Sequence, residues 1–145
     1  MELLIKAFDE LSTQELYEIL RLRDAVFIVE QNCPYQDIDG LDRDAWHVFL
    51  RDGEGIQAYL RLLPPGAVFE ECALGRVIAR KRRCGLGTQI VSAGIAAARE
   101  RLDAAAIRIE AQVYAKGLYE KLGFVSVSEP FLEDGIPHIQ MLLKL

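Results

Sequence analysis

Disulfide chemistry, metal clusters and membrane insertion have little to work with in this sequence. Cysteine occurs three times, at Cys33, Cys72 and Cys84. The number is odd, the spacing is wide and no CxxC pair exists. That excludes a disulfide frame or a thiolate metal cluster, so no metal is expected, and it fits a reducing compartment. No apolar run reaches the length of a bilayer span, and Glu2 directly follows Met1. The expectation is a cytoplasmic protein with no membrane partner. Basic excess is missing too: the formal net charge is -5. Nothing is left over to displace counterions along a phosphate backbone, so no nucleic-acid partner is expected. Linkers, repeats and low-complexity tracts are also absent. What remains is 145 residues, 51% hydrophobic and 27% charged, the composition of a single globular domain over residues 1–145.

Periodicity supplies the elements. Leu3 to Phe8 reads as a strand. Ser12-Thr13-Gln14-Glu15 reads as a capping box, with Ser first and Glu three residues later. Ile19, Leu22, Val26 and Val29 then recur at helical spacing, predicting one helix to about Val29. Gln31 to Arg43 has no periodicity and is expected to be a loop. Trp46 to Arg51 and Ile56 to Leu63 flank Asp52-Gly53-Glu54-Gly55, a hairpin signal. Val68 to Ala79 reads as one long strand, with Gly75 inside it marking a bulge. A helix is predicted from about Gly87 to Leu102, then a strand over Ala106 to Ala111. A short helix carries Ala115, Leu118 and Leu122 and stops at Gly123. Val125 to Glu129 and Ile139 to Leu145 close the chain as strands, with a turn at Glu133-Asp134-Gly135. Helices alternate with strands, yet hairpins stand at both ends. The predicted fold class is therefore α/β with a mixed central sheet flanked by helices.

Against the acidic balance, Arg80, Lys81, Arg82 and Arg83 form an uninterrupted basic run, followed by Cys84-Gly85-Leu86-Gly87-Thr88 and a helix. Strand, glycine turn and helix together hold anions well. The first helical N–H groups lack intrahelical partners, and the helix dipole favours negative charge there. A P-loop is excluded, because no Gly-Lys-Ser/Thr occurs. A dinucleotide fingerprint is excluded as well, because Ile90 stands where its third glycine belongs. What is left is Arg82-x-x-Gly85-x-Gly87.

That pattern resembles the pyrophosphate loop of the GNAT N-acetyltransferases. Further blocks carry the resemblance along nearly the whole chain: "AVFIVEQNCPYQDIDGLD" (Ala25 to Asp42), "GRVI" (Gly75 to Ile78), Ala111-Gln112, "LYEKLGF" (Leu118 to Phe124) and "LEDGIPHI" (Leu132 to Ile139). In this order they are similar to the ElaA-like branch. Arg83 departs from a glycine common in that branch, and Tyr114 from a histidine.

The resemblance implies a GNAT-like fold, splayed at the cofactor strand, that uses acetyl-CoA. It implies that backbone amides from Arg82 to Thr88, with Arg83, Gly85, Leu86 and Gly87 among them, cradle the pyrophosphate. Pantetheine would lie along Val77, Ile78 and Ala79, with Gln112 beside it. An N–H of Val77 or Ile78 would stabilise the oxyanion, and Tyr119 would protonate the leaving thiolate. The residues leave the general base open among Glu30, Asp37, Asp39, Asp42, His47 and His138. Glu71, in the long strand, is a further option. Tyr35, Asp39, Asp42 and Arg76 are the expected acceptor-side residues, with Arg76 paired to Glu30 or to an aspartate of the loop. An acidic loop would attract a cationic acceptor. The expected reaction is direct transfer of acetyl to a primary amine of a small molecule or a protein, by a chain that pairs as a homodimer. The competing reading is an acyl-CoA sensor that binds without efficient transfer.

Overall fold

The computed structural model describes every residue except Arg82 and Arg83. Its centre is an open mixed sheet. β1 (Glu2–Ala7), β2 (Trp46–Asp52), β3 (Gly55–Leu63) and β4 (Cys72–Ala79) form an antiparallel half. β5 (Ala106–Gln112) joins β4 in parallel, and β8 (Ile136–Lys144) runs antiparallel to β5. Beyond β8 lie two short edge strands, β6 (Val125–Ser126) and β7 (Phe131–Glu133), which pair with different stretches of it. The predicted mixed sheet is thus present.

Helices cover both faces. α1 (Thr13–Arg23) starts at the expected capping box, with Glu15 N donating to Ser12 Oγ at 3.0 Å and Ser12 N to Glu15 Oε1 at 2.8 Å. The helix does not stay regular to Val29. From Asp24 to Glu30 it widens into a π-helix. Such a widening inserts residues into the helical pitch and is frequent at functional sites; here the widened turn lines the main cleft with Ala25, Val26 and Phe27. On the opposite face lies α2 (Leu86–Leu102), pressed close to the sheet at Gly94. A Cβ there would sit 2.7 Å from Leu60 Cδ2 and 2.9 Å from Leu74 Cδ1, so only glycine permits this approach. α3 (Lys116–Lys121) follows β5 on the α2 side, where Tyr119 packs edge-on to Phe124 with centroids 5.6 Å apart.

The strands alternate between two cores. Val48, Leu50, Ala58, Leu60, Leu62 and Leu74 face α2. Phe49, Tyr59 and Ile78 face α1 with Ile19 and Phe27. A one-residue bulge in β4 lies between the pairs Arg61↔Gly75 and Tyr59↔Ile78, where Gly75 predicted it. The extra residue reverses the inside–outside alternation, so Val77 returns to the α2 side and Ile78 to the α1 side. Arg76 takes the left-handed backbone of the bulge, with φ 52°.

Three boundaries differ from expectation. Val68 to Glu71 are irregular and β4 starts at Cys72, where backbone pairing with β3 and β5 begins; the Glu71 side chain pairs with Arg108. β6 ends at Ser126, where the predicted strand ran to Glu129. β8 begins at Ile136, ahead of Ile139, because Phe131 to Glu133 pair back onto it.

Candidate active site

β4 and β5 are paired at only two positions, Cys72↔Ile107 and Ala73↔Arg108. Beyond them the strands part. The parting opens a cleft of about 860 Å³ lined by Val77, Ile78 and Ala79 on one side and Ile109 to Gln112 on the other. Parallel strands need continuous backbone pairing when buried, so an unpaired edge here is a place for a ligand's own polar groups. Strand alternation decides which groups face it. Arg80 N donates to Gln57 O on β3 at 2.9 Å. The N–H groups of Val77 and Ala79 therefore turn to the opposite edge, into the parting. Of the two oxyanion donors expected, Val77 has the suitable orientation and Ile78 does not.

The glycine turn sits at the end of this edge. Gly85 caps α2 with φ 81°, a conformation strained for any residue with a Cβ. Gln89 N closes the first helical bond to Gly85 O at 3.0 Å. The preceding amides of Leu86, Gly87 and Thr88 have no carbonyl four residues back inside the helix. Gly85, Leu86 and Gly87 line the cleft together with Arg80 and Lys81, so this end carries positive charge. Thr88 is exposed just behind them and does not line it. The expected contributions of Arg82 and Arg83 lie outside the described residues. A diphosphate thus fits the free amides and adjoining cations, and an extended pantetheine fits the open strand edge.

Tyr119 borders the same cleft from the α2 side. It is 7% exposed, and no hydrogen bond to its hydroxyl is found among the described residues. Burial, with a smaller contribution from Tyr114, pushes its pKa up, so the hydroxyl keeps its proton.

The loop from Gln31 to Asp42 departs most from expectation. Its aspartates are not a free negative surface. Arg23, fully buried, donates from Nε to Asp37 Oδ2 at 2.9 Å, from Nη1 to Asp42 Oδ1 at 2.6 Å and from Nη2 to Asp37 O at 2.9 Å. Arg61 donates to Asp39 at 2.7 Å and to Asp42 at 3.0 Å. Arg76 reaches the same group: its Nε lies 2.7 Å from Asp37 Oδ1, though off the N–H direction, and Nη2 lies 3.4 Å from Asp39 Oδ2. It also covers the Tyr35 ring at 5.4 Å from the centroid. The expected pairing of Arg76 with loop aspartates is therefore present. Three arginines answer three aspartates. Burial opposes ionisation of Asp39 and Asp42, but Arg61 and Arg23 outweigh it. Asp39 titrates at about 2, and Asp42 is also held below the ordinary carboxylate value. Neither Asp39 nor Asp42 is poised as a base, and Asp37 is taken up by Arg23 and Arg76. Asp42 does not even border the cleft, so its predicted acceptor role is withdrawn; Asp39 and Tyr35 do border it.

His47 is withdrawn for a related reason. It is fully buried, away from the cleft. Its Nε2 lies 2.9 Å from Asp42 O and its Nδ1 2.8 Å from Tyr59 Oη. A carbonyl only accepts, so Nε2 carries the proton and Nδ1 accepts from the tyrosine. Burial above all holds the His47 pKa below its ordinary 6.5. A depressed folded-state pKa means that the unfolded chain binds the proton first. Stability is accordingly present above about pH 6.5 and declines as pH falls below it. Urea unfolding at stepped pH should show this slope in the parent protein and not in His47→Gln; an identical slope in both would refute it.

Three further candidates do border the cleft: Glu30 at the end of the π-helix, Gln112 at the end of β5, and His138 on β8. Gln112 Nε2 reaches Gln31 Oε1 at 3.4 Å. His138 Nδ1 donates to Ile136 O at 2.7 Å and its ring stacks on Phe131, leaving Nε2 3.9 Å from Glu133 Oε2. Cys33 Sγ contacts Asp134 O at 3.4 Å. The loop and the β7–β8 turn therefore meet across the cleft. Sequence reasoning passed over Glu110, which lies between them. Its strand alternates buried Ile107, Ile109 and Ala111 with polar Arg108, Glu110 and Gln112. That pattern reads as an ordinary solvated face, and only the parting of β4 makes it a cleft wall.

The comparisons with known proteins agree with this geometry. Residues 11–145 match the family described as the acetyltransferase (GNAT) domain. The chain belongs to the GNAT acetyltransferase family. Protein ElaA of Escherichia coli is 40% identical over 136 residues, covering 91% of this chain and 89% of that protein. A UPF0039 protein of Synechocystis is 37% identical over 141 residues, covering 95% and 92%. Among solved structures, an acyl-CoA N-acyltransferase from Pseudomonas aeruginosa superposes with a TM-score of 0.91 at 39% identity, covering 99% of both chains. Escherichia coli ElaA superposes with a TM-score of 0.88 at 36% identity, covering 99% of this chain and 100% of that one. The GNAT chain described here is thus an ElaA-like acyltransferase on a fold that binds acyl-CoA. No helix among the described residues is long and apolar enough to cross a membrane, and no group of metal-ligating side chains is found among them.

Proposed function

We propose that this GNAT protein transfers the acetyl group of acetyl-CoA directly to a primary amine. The observation that carries the proposal is the parting of β4 from β5, which turns the Val77 and Ala79 amides toward a cleft that ends at the amides of α2. On this reading the 145 residues act as one domain. The Leu86 and Gly87 amides hold the diphosphate, with Arg80 and Lys81 as counter-charge. The strand edge of Val77 to Ala79 pairs with pantetheine, and Gln112 borders it. The Val77 N–H supplies a fixed dipole where negative charge develops on the carbonyl oxygen. Tyr119, protonated because it is buried, delivers a proton to the departing sulfur. Glu30, His138 and Tyr35 border the acceptor side.

Titration calorimetry and thermal unfolding with CoA and acetyl-CoA test the donor assignment. Acetyl-CoA at about 100 times its Kd should add roughly 2.7 kcal/mol to stability. No binding of either compound would refute the assignment. Tight binding with no amine-dependent release of CoA thiol would turn the reading to an acyl-CoA sensor.

A further inference from the structure

We propose that Glu110 is the base that takes the proton from the acceptor amine, and that Glu110 and Glu133 together select an alkylamine over an α-amino acid. The proposal rests on the acetyl-CoA reading above and names the acceptor side of that same cleft.

Register places the residue. Cys72 pairs with Ile107 and Ala73 with Arg108 before the strands part. Continuing that parallel count sets Glu110 level with Gly75, and the extra residue of the β4 bulge then brings Val77 to about the level of Ala111. Glu110 therefore stands on the strand facing the cofactor edge, about one residue short of the level of the Val77 N–H. Face matters as much as level. Ile107, Ile109 and Ala111 belong to the core under α2, as does Tyr119. Glu110 alternates with them and lies on the α1 side, with Arg108 and Gln112. Glu110 and Tyr119 thus border one cleft from opposite faces of the sheet. A thioester lying in the parting would have a proton acceptor on one side and a proton donor on the other.

The surroundings suit the acceptor of a proton. Among the described residues no arginine or lysine pairs with Glu110, whereas Arg108 on its own strand is committed to Glu71 and Gln140. From β7 Glu133 lies within hydrogen-bonding reach, and from β8 His138 adds a charge-dependent attraction. Glu30 and Tyr35 border the cleft from the α1 side. Burial first, and then the Glu133 charge, hold Glu110 above the ordinary carboxylate range. The loop aspartates contribute no free charge, since arginines answer them. The acidic side of the cleft is therefore formed by Glu110 and Glu133, with Glu30 and Asp134 also lining the cleft. Two carboxyls attract an ammonium group and repel a carboxylate carried one carbon from it.

The step balances. An ammonium N–H bond breaks and its proton moves to the Glu110 carboxylate, leaving a neutral amine. The nitrogen pair forms a bond to the thioester carbon. The carbon–sulfur bond breaks, sulfur takes the Tyr119 proton, and the nitrogen loses its second proton to restore Tyr119. Products are the amide and CoA thiol, and Glu110 returns one proton to water.

Calorimetry with acetyl-CoA on the parent protein and Glu110→Gln separates this proposal from the one beneath it. No binding by the parent protein would refute the donor assignment. Equal affinity in both proteins is expected, and places Glu110 outside the donor site. CoA thiol release is then followed with butylamine, diaminobutane and glycine across mildly acidic to alkaline pH. Butylamine and diaminobutane should react and glycine should not. Glu110→Gln should lose roughly 100-fold in kcat/KM and the acidic limb of the pH profile, with Glu110→Asp restoring part of both. An unchanged rate and profile in Glu110→Gln would overturn the base. A preference for glycine, or acetyl-CoA binding with no reaction of either alkylamine, would overturn the acceptor class.

Discussion

Tyr119→Phe should lower turnover by roughly 1000-fold while leaving acetyl-CoA affinity and stability near those of the parent protein. The expectation follows from what the substitution removes. The ring and its edge-on contact with Phe124 stay. Only the hydroxyl goes, and no hydrogen bond to it is found among the described residues, so no buried partner is left unsatisfied. A thiolate expelled into a desolvated cleft carries an unpaired charge, and a proton delivered to sulfur removes that cost. The hydroxyl keeps its proton because burial disfavours the phenolate. The loss should therefore appear in kcat and kcat/KM equally, as for an interaction made only in the transition state. Single-turnover measurement with the best amine is the check. Parent-like turnover would remove Tyr119 from the chemistry, and a weakened acetyl-CoA affinity would instead make it a binding residue.

Arg23→Met should cost about 3–5 kcal/mol of stability, the largest loss expected from any one surface-distant side chain discussed above. Arg23 is fully buried, and the Asp42 and Asp37 carboxylates together hold its charge against the cost of burial. Among the described residues, removing it leaves the Asp42 carboxylate with Arg61 alone and the Asp37 carboxylate with the off-axis Arg76 contact and the Tyr35 hydroxyl at 3.3 Å. The cost comes from the carboxylates left buried more than from the lost attraction. Arg51 is the internal contrast. It pairs with Glu2 and Glu15 but is over one-third exposed, so Arg51→Ala should cost far less than Arg23→Met. Urea unfolding of both variants gives the comparison. Equal losses would show that the buried network does not hold the loop. A second readout is available, because the same network carries the Tyr35 wall of the cleft. Arg23→Met should raise the amine KM more than the acetyl-CoA Kd.

These expectations depend on where charge lies, and the sequence was a poor guide to that. Asp37, Asp39 and Asp42 are crowded into one loop, which reads as a negative surface. Their partners come from α1, β3 and the β4 bulge, at separations that no local pattern reveals. The bulge itself was legible from Gly75 in an apolar strand. Its consequence was not: the reversed alternation that brings Arg76 to the loop and Ile78 to the α1 core appears only once β3 and β4 are in register. His47 misled for the same reason. Its alternation with Trp46 and Val48 said that it sat on a strand, but its two ring partners lie on other elements.

The sequence by itself determined the donor end of the molecule. A cradle for a diphosphate is local: free helical amides, a glycine with φ above zero and adjoining cations follow one another in the chain from Arg80 to Thr88, and the blocks around them identified the family. The acceptor end was decided only by tertiary structure. Its wall is assembled from the π-helix, the neutralised loop, the middle of β5 and the β7–β8 turn. Glu110 becomes part of it because two parallel strands stop pairing after two residues. Pairing between strands is a long-range event, and a strand carries no mark of where its neighbour will leave it.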